Sequence, residues 1–420
     1  MRRVLGCLCL WLGAGPWAAA QSGAVTPEVV KSLLARIEKL ERRVAELEGA
    51  QGARKPAETP PASPPAPAPP TPLEVHERMM RPEESGQSLP SSPTLKLAGF
   101  SDFNFGSTTQ RGFRSGFTEG QFAMHVTSAL SPRVNVFGEL SFTARPDAGT
   151  GTPAATGFNA EVERLMIRFD QSDYFKVSFG RYHTPINWWN NTFHHGQWLQ
   201  TTVGRPEMTQ FGGRFIPVHF VGGLVEGAVP AGGLHLNYNL GLGNGRGAVL
   251  SRGGDAGDNN NHRALLANLF VKPDRLFGLQ AGGSVYRDKI AVGARSFDEW
   301  ITSGHIVWQK ENPEVILEGA NVRHSEAGRS GSSNSLAYYA QVAYRLPWWG
   351  QQWKPYYRFE YIHIPRGDAV FAGVPSLAGS AAGMRYDLTA FAALKLEYRN
   401  QRRPGAQRVH GAFLQTSFTF

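Results

Sequence analysis

The feature that most constrains this chain is a period of two. From about residue 95 to the end, segments of about ten residues alternate apolar and polar side chains. The clearest are VNVFGELSF (134–142), RLMIRF (164–169), YFKVSFGRY (174–182), LAYYAQVAYRL (336–346), YYRFEYIHI (356–364) and LKLEYR (394–399). Successive side chains of a strand point to opposite faces, so this alternation marks strands with one apolar and one polar face. The connections are sorted by length. Short ones fall at 131–133, 170–173, 230–233 and 310–314; long ones fall between them at 145–157, 183–213, 243–259, 323–334 and 365–377. Two segments, 278–290 and 376–391, alternate poorly. The count is about sixteen strands with seven short turns on one side and eight longer loops on the other, a pattern that belongs to closed barrels crossing a membrane.

The last strand tests this. In VHGAFLQTSFTF, Ala412, Leu414, Thr416, Phe418 and Phe420 form a mostly apolar row, while Gly411, Gln415, Ser417 and Thr419 are small or polar. No uninterrupted apolar run of about 18 residues is present to cross a bilayer as a helix. In hydrocarbon every backbone polar group needs an internal partner, so strands can span only where the sheet closes. The expected fold is therefore an all-β transmembrane barrel of about 16 antiparallel strands over residues 94–420. Composition agrees: Gly 48 and 11% aromatic residues supply turns and rings, and charged residues are only 18%.

Three segments precede the barrel. Residues 1–20 read as an export signal, with Arg2 and Arg3 before an apolar stretch and Ala18, Ala19 and Ala20 at the cleavage region. Cys7 and Cys9, the only cysteines, lie inside it, so the mature chain is expected to lack disulfides and thiolate metal sites. Too little sequence precedes Cys7 for it to serve as a lipid acceptor. Residues 26–50 read as a coiled-coil helix: Thr26 is an N-cap, Pro27 suits the first turn, and Val30, Ile37 and Val44 with Leu33, Leu40 and Leu47 make an a/d seam. β-Branched residues at a with Leu at d favour dimers. RIEKLE (36–41) and RVAELE (43–48), however, both follow the R-h-x-x-h-E pattern of trimeric coils, where h is apolar, and tip the expectation to a trimer. Residues 51–93 form a Pro/Ala-rich linker, extended and semi-rigid (KPAETPPASPPAPAPPTP).

Strand parity then sorts the charges. With the apolar row outward, Arg164, Arg168, Lys176, Arg345, Lys354, Arg358, Lys395 and Arg399 point inward, with Glu139, Glu360 and Glu397 among them. Sixteen strands leave a water-filled interior, so a charged lining reads as a pore. Trp348, Trp349, Trp353, Tyr356 and Tyr357 gather at one short turn, where rings anchor at the lipid headgroups.

Residues 95 onward resemble the phosphate-selective porin group, the O and P porins and their relatives. The likeness rests on GRYHTPI (180–186) leading into a long third loop, the LAYYAQVAYRLP strand, and GMRYDLTAFAALKLEYR (383–399). A coiled coil before the barrel is similar to the trimeric dicarboxylate-channel relatives of that group. The resemblance implies a homotrimeric sixteen-stranded channel in the bacterial outer membrane, with the third extracellular loop folded inward as its constriction.

That loop carries NWWNNTFHHGQW (187–198). Trp188, Trp189 and Trp198 could offer faces to a sugar or simply anchor the loop, and anchoring is the expectation. Asn190, Asn191, His194, His195 and Arg205 are the candidates to face the channel. His194 and His195 are adjacent and would point to opposite faces of a strand, so no metal site is expected. The formal charge is +9, and 25 of the 32 basic residues from position 95 onward are arginine, whose forked donors suit carboxylate and phosphate. Because glutamates interleave with these cations, the expected anion preference is weak.

Enzyme signatures are missing. There is no G-x-S-x-G, and His76-Glu77 lacks a second histidine at zincin spacing. Gly243-x-Gly245-x-x-Ala248 lies in a long loop, and GGDAGDNNNH (253–262) lacks the terminal glutamate of a calcium loop. The function expected is passive diffusion of small hydrophilic solutes, with no cofactor, no metal, outer-membrane lipid around the barrel, and no nucleic-acid partner. The N-terminal region would be periplasmic, with contact to the cell wall open to it. The rivals are a structural tether whose barrel only anchors the coiled coil, and an outer-membrane hydrolase.

Overall fold

The structure, a computed structural model, describes residues 93–420 apart from 153, 194, 195, 211–213, 248, 249, 251, 252, 349 and 350. The expected export signal, coiled coil and nearly all of the linker lie outside the described residues. Sixteen strands follow in order: β1 (Thr94–Thr108), β2 (Gly116–Ser131), β3 (Val134–Ala144), β4 (Phe158–Ser172), β5 (Phe175–His183), β6 (His219–Val229), β7 (Leu236–Asn244) and β8 (Ala264–Val271). The second half is β9 (Leu279–Val292), β10 (Arg295–Gln309), β11 (Glu314–Glu326), β12 (Ser333–Ala343), β13 (Trp353–His363), β14 (Leu377–Thr389), β15 (Ala392–Arg402) and β16 (Val409–Thr419).

Each strand pairs with its sequence neighbours, and β1 pairs antiparallel with β16, so the sheet closes. At the seam the Gly99 amide donates to the Phe420 carbonyl (2.8 Å) and the Phe420 amide to the Gly99 carbonyl (3.0 Å). Phe420 is thus tied into the ladder, and the closed sheet leaves no edge for the bilayer to desolvate.

The outer surface is apolar. Leu97, Phe179, Leu242, Leu265, Leu396 and Tyr398 are all exposed, Phe179 by 63%. Along β16 and Phe420 after it, Ala412, Leu414 and Phe420 are exposed and Thr416 and Phe418 half-buried, while Gly411, Gln415, Ser417 and Thr419 are buried, the parity expected of a lipid-facing row. Such a surface is costly in water and matched to hydrocarbon.

The length sorting holds only in part: 272–278 and 344–352 on the short side are longer than 327–332 and 403–408 on the other, and the expected long loop 323–334 shrinks to 327–332. The short side has turns at 132–133, 173–174, 310–313 and 390–391, and the other side carries 145–157, 184–218, 245–263 and 364–376. On that second side, however, β9 and β10 are joined by residues 293–294 alone, with Gly293 at φ 60. The weakly alternating segments form β9, paired with β10 along its length and with β8 over 281–287, and β14, paired with both β13 and β15.

The aromatic girdle is also corrected. Trp348 and Tyr357 are exposed, and Trp353 packs on Tyr386 at 4.6 Å. Tyr356 instead points inward: it is buried, and its hydroxyl donates to Glu397 at 2.9 Å. It lies on the parity of Lys354 and Arg358, so it cannot reach lipid. Trp349 is outside the described residues.

Candidate functional site: a loop pinned to the inner wall

Residues 184–218 leave β5 and return to β6, and their neck is closed by the chain itself. The Thr184 amide donates to the Val218 carbonyl (2.9 Å), and Asn190 Nδ2 donates to the carbonyls of both Thr184 (2.9 Å) and Val218 (3.1 Å). Past the neck, a single helical turn, α1 (Trp189–Phe193), packs Trp188 against Phe193 with ring centroids 4.7 Å apart. Trp198 stacks on Phe100 of β1 at 6.2 Å. Trp189 and Trp198 are each 1% exposed. These three tryptophans join a buried cluster with Ile301, Val322 and Tyr339 of the wall, so their faces are spent on packing. They pack as anchors rather than stand free as a sugar platform.

What holds the polar backbone of this loop is the charge on the opposite wall. A loop away from bulk water must pair its amides and carbonyls, and each kind of group has its own partner. Carboxylates accept the amides. Glu318 of β11 takes the N–H of Trp188 and of Trp189, both at 2.7 Å; Glu397 of β15 takes that of Val203 (3.0 Å); Glu360 of β13 takes that of Glu207 (2.7 Å). Cations serve the carbonyls. Arg358 of β13 donates to Gly204 (2.7 Å) and Arg205 (3.2 Å), and Arg385 of β14 to Trp198 (2.6 Å) and Gln200 (2.8 Å). Lys395 of β15 donates to Gln197 and, at 3.2 Å, to Thr202.

Four of the inward charges read from the sequence, Arg358, Glu360, Lys395 and Glu397, therefore act on the loop. Arg399 lies over Phe413 at 4.2 Å and pairs with Glu397, its guanidinium occupying the space a side chain at Gly204 would need. The remaining inward charges are paired along the wall. Glu139 meets Arg164 (2.5 Å) and His125 (2.8 Å), Arg168 meets Asp170 (2.7 Å), and Lys176 faces Asp173 at 3.9 Å. Near the short turns, Arg345 pairs with Glu311 (2.9 Å) and Asp387 (2.6 Å), and Lys354 with Glu311 (2.8 Å) and Glu314 (2.7 Å).

Of the loop residues expected to face the channel, Asn191 is exposed. Asn190 is buried in the neck, and Arg205 is buried with its guanidinium 4.8 Å from the Trp189 ring centroid. Both are corrected to structural positions, because a residue that closes a neck or stacks on a packed ring is withdrawn from water. His194 and His195 lie outside the described residues. Among the described residues no group of three His, Cys, Asp or Glu side chains is placed to hold a metal ion.

The sequence reading missed Glu318 and Arg385, although both sit at inward parity in their strands. It also missed Glu163 for a physical reason. Between the pairs Glu139↔Arg164 and Leu140↔Val162, β4 carries one extra residue, a bulge that rephases the strand. Glu163 is consequently buried beside Arg164 and accepts a hydrogen bond from Ser141 at 2.7 Å.

No protein-family model matches this chain, and no curated protein sequence matches it either. Solved structures do. The barrel is similar to an anion-selective porin from Comamonas acidovorans (TM-score 0.57, 12% identity, 78% of this chain and 100% of that one). It is similar to the outer-membrane channel DcaP of Acinetobacter baumannii (TM-score 0.55, 10% identity, 80% and 100%). It is also similar to Salmonella typhi OmpF solved with daunomycin (TM-score 0.52, 12% identity, 78% and 97%). The fold defined by the closed barrel is thus the sixteen-stranded fold of outer-membrane porins. At these identities the likeness is one of fold.

Proposed function

We propose that this chain is an outer-membrane porin: a water-filled channel through which small hydrophilic solutes diffuse passively, without turnover of a substrate. The observation that carries this reading is the loop 184–218, held inside an apolar-coated barrel by Glu318, Glu397, Glu360, Arg358, Arg385 and Lys395. A tether needs no such internal clamp, whereas a channel needs a fixed aperture, and this loop is its constriction. The preference for anions is weak because most lumen cations already face carboxylates. Carboxylate- and phosphate-bearing solutes are the class that the arginine-rich lining suits.

The protein works as a homotrimer surrounded by outer-membrane lipid, its N-terminal coiled coil and Pro-rich spacer projecting into the periplasm within reach of the cell wall. Removal of residues 21–72 should weaken the trimer. The direct test of the channel is swelling of liposomes in sugars and organic anions of graded size. Swelling that falls with solute size and is modestly faster for small anions is expected. Folded, heat-modifiable protein that gives no swelling would refute the reading.

A further inference from the structure

On the long-loop side, three loops meet over the ends of β10 and β11. His324 of β11 is buried there, with Nδ1 2.8 and 3.0 Å from the two carboxylate oxygens of Asp368 and Nε2 2.9 Å from Glu299 of β10. Asp368 belongs to the loop 364–376. It accepts the amides of Val370 and Phe371, both at 3.1 Å, and the Ser335 hydroxyl of β12 at 3.2 Å. Glu299 also faces Arg246 of the loop 245–263, at 3.1 Å. Arg246 donates to the carbonyls of Arg214 and Phe215 at the end of the loop 184–218, both at 2.6 Å. Its own amide donates to Asp288 of β9 (2.8 Å), which also takes the Tyr286 hydroxyl (3.0 Å). The Phe371 ring joins the set, edge-on to His324 at 4.6 Å and stacked on Phe215 at 5.5 Å. Arg214 closes the group by donating to the Gly373 carbonyl at 3.3 Å.

The chemistry of the ring decides what this knot does. A neutral imidazole has one N–H and one lone pair, so it can serve one of the two carboxylates and must repel the other. The imidazolium has two N–H donors and serves both. Around it stand Asp368, Glu299 and Asp288 as carboxylates, with Arg246 as the buried cation and Arg214 exposed at the edge of the group, so a ring that loses its proton leaves an excess of negative charge in a buried place. Burial pushes the Asp368 carboxyl up, but the His324 hydrogen bond and charge, with the Phe371 amide and Ser335 hydroxyl, hold it below the ordinary aspartate value. Asp368 therefore stays ionised into mildly acid solution, and the alkaline side is where the knot gives way.

We propose that His324 is a proton-dependent latch that fastens the loops 364–376 and 245–263 onto the end of the loop 184–218, and that its deprotonation releases 364–376. The latch is closed while His324 carries two protons and opens as pH rises. The effect on current rests on the channel reading. The loop motion can be followed without it.

A spin label at Gly373→Cys tests the latch. A side chain there meets open space, and the only cysteines, Cys7 and Cys9, lie in the expected export signal. The expected result is an immobilised spectrum at about pH 6 and a growing mobile component toward about pH 10, accompanied by larger fluctuations of single-channel current. His324→Gln should remove the pH dependence; if that variant does not fold, Asp368→Asn carries the same comparison. A spectrum that does not change between these pH values, or one that changes equally in the variant, would overturn the proposal. Folded protein with no current but a pH-dependent label would sink the channel reading and leave the latch standing.

Discussion

Glu318→Ala should release the tryptophan turn of the pinned loop without unfolding the barrel. Glu318 accepts the Trp188 and Trp189 amides at 2.7 Å each, in a buried place. A buried amide stripped of its partner costs roughly 1–3 kcal/mol, so losing both costs about 2–6 kcal/mol. Since about 1.4 kcal/mol is a tenfold change in an equilibrium, even the lower figure raises the released fraction of residues 187–193 more than tenfold. Glu318→Gln keeps an oxygen that can accept both amides, and should fall between wild type and alanine. Hydrogen exchange read by mass spectrometry reports directly on these two amides. The order of protection should be Glu, then Gln, then Ala, with the ladder amides of β10–β12 unchanged. Equal protection of Trp188 and Trp189 in wild type and in folded Glu318→Ala would refute the reasoning, because the amides would then be shielded by ring packing alone.

Three further outcomes follow from the same geometry. Arg358→Ala removes the donor to the Gly204 and Arg205 carbonyls and leaves Glu360 without the partner it has at 2.5 Å; in planar bilayers conductance should rise and selectivity shift toward cations, and Arg358→Lys should restore selectivity but not the original conductance. Burial pushes the Glu311 carboxyl up, but Lys354 and Arg345 beside it bring it down to about 2. A depressed carboxylate stabilises the fold above its unfolded value of about 4.3 and loses that contribution as pH falls toward about 2. Thermal stability should therefore drop through that window, and Glu311→Gln should flatten the drop. Gly196 has φ 90, with Leu199 and Phe100 within 3.1–3.2 Å of where a Cβ would sit, so Gly196→Ala should cost about 1–2 kcal/mol locally, seen as faster exchange of the amides at 197–200.

How much of this was legible in the sequence depended on contrast and distance. Strands such as β13, reading WKPYYRFEYIH, announce themselves because large rings alternate with charges, and Lys354, Arg358 and Glu360 are buried on one parity of it. β14, reading LAGSAAGMRYDLT, offers small residues on both faces, and only its ladders with β13 and β15 identify it. Period two also fails locally wherever a bulge inserts a residue, as at Glu163. The clamp was invisible for a different reason: Glu318 and Arg385 meet loop groups more than a hundred positions away, and no local pattern records that. The charges seen as a channel lining prove on the wall to be fasteners as well, which is why cations interleave with glutamates. The tryptophans of NWWNNTFHHGQW were legible as a packed set but not as one packed inward against β10–β12.

The central claim is that this barrel conducts through an aperture set by a pinned loop. Single-channel conductance of the purified full-length protein in a planar bilayer, with the reversal potential in a salt gradient, tests it most directly. Discrete steps that close in threes, a mild anion preference, and a larger, noisier step for Glu318→Ala are expected. Absence of steps from folded protein would contradict the claim, as would steps that Glu318→Ala and Arg358→Ala leave unchanged.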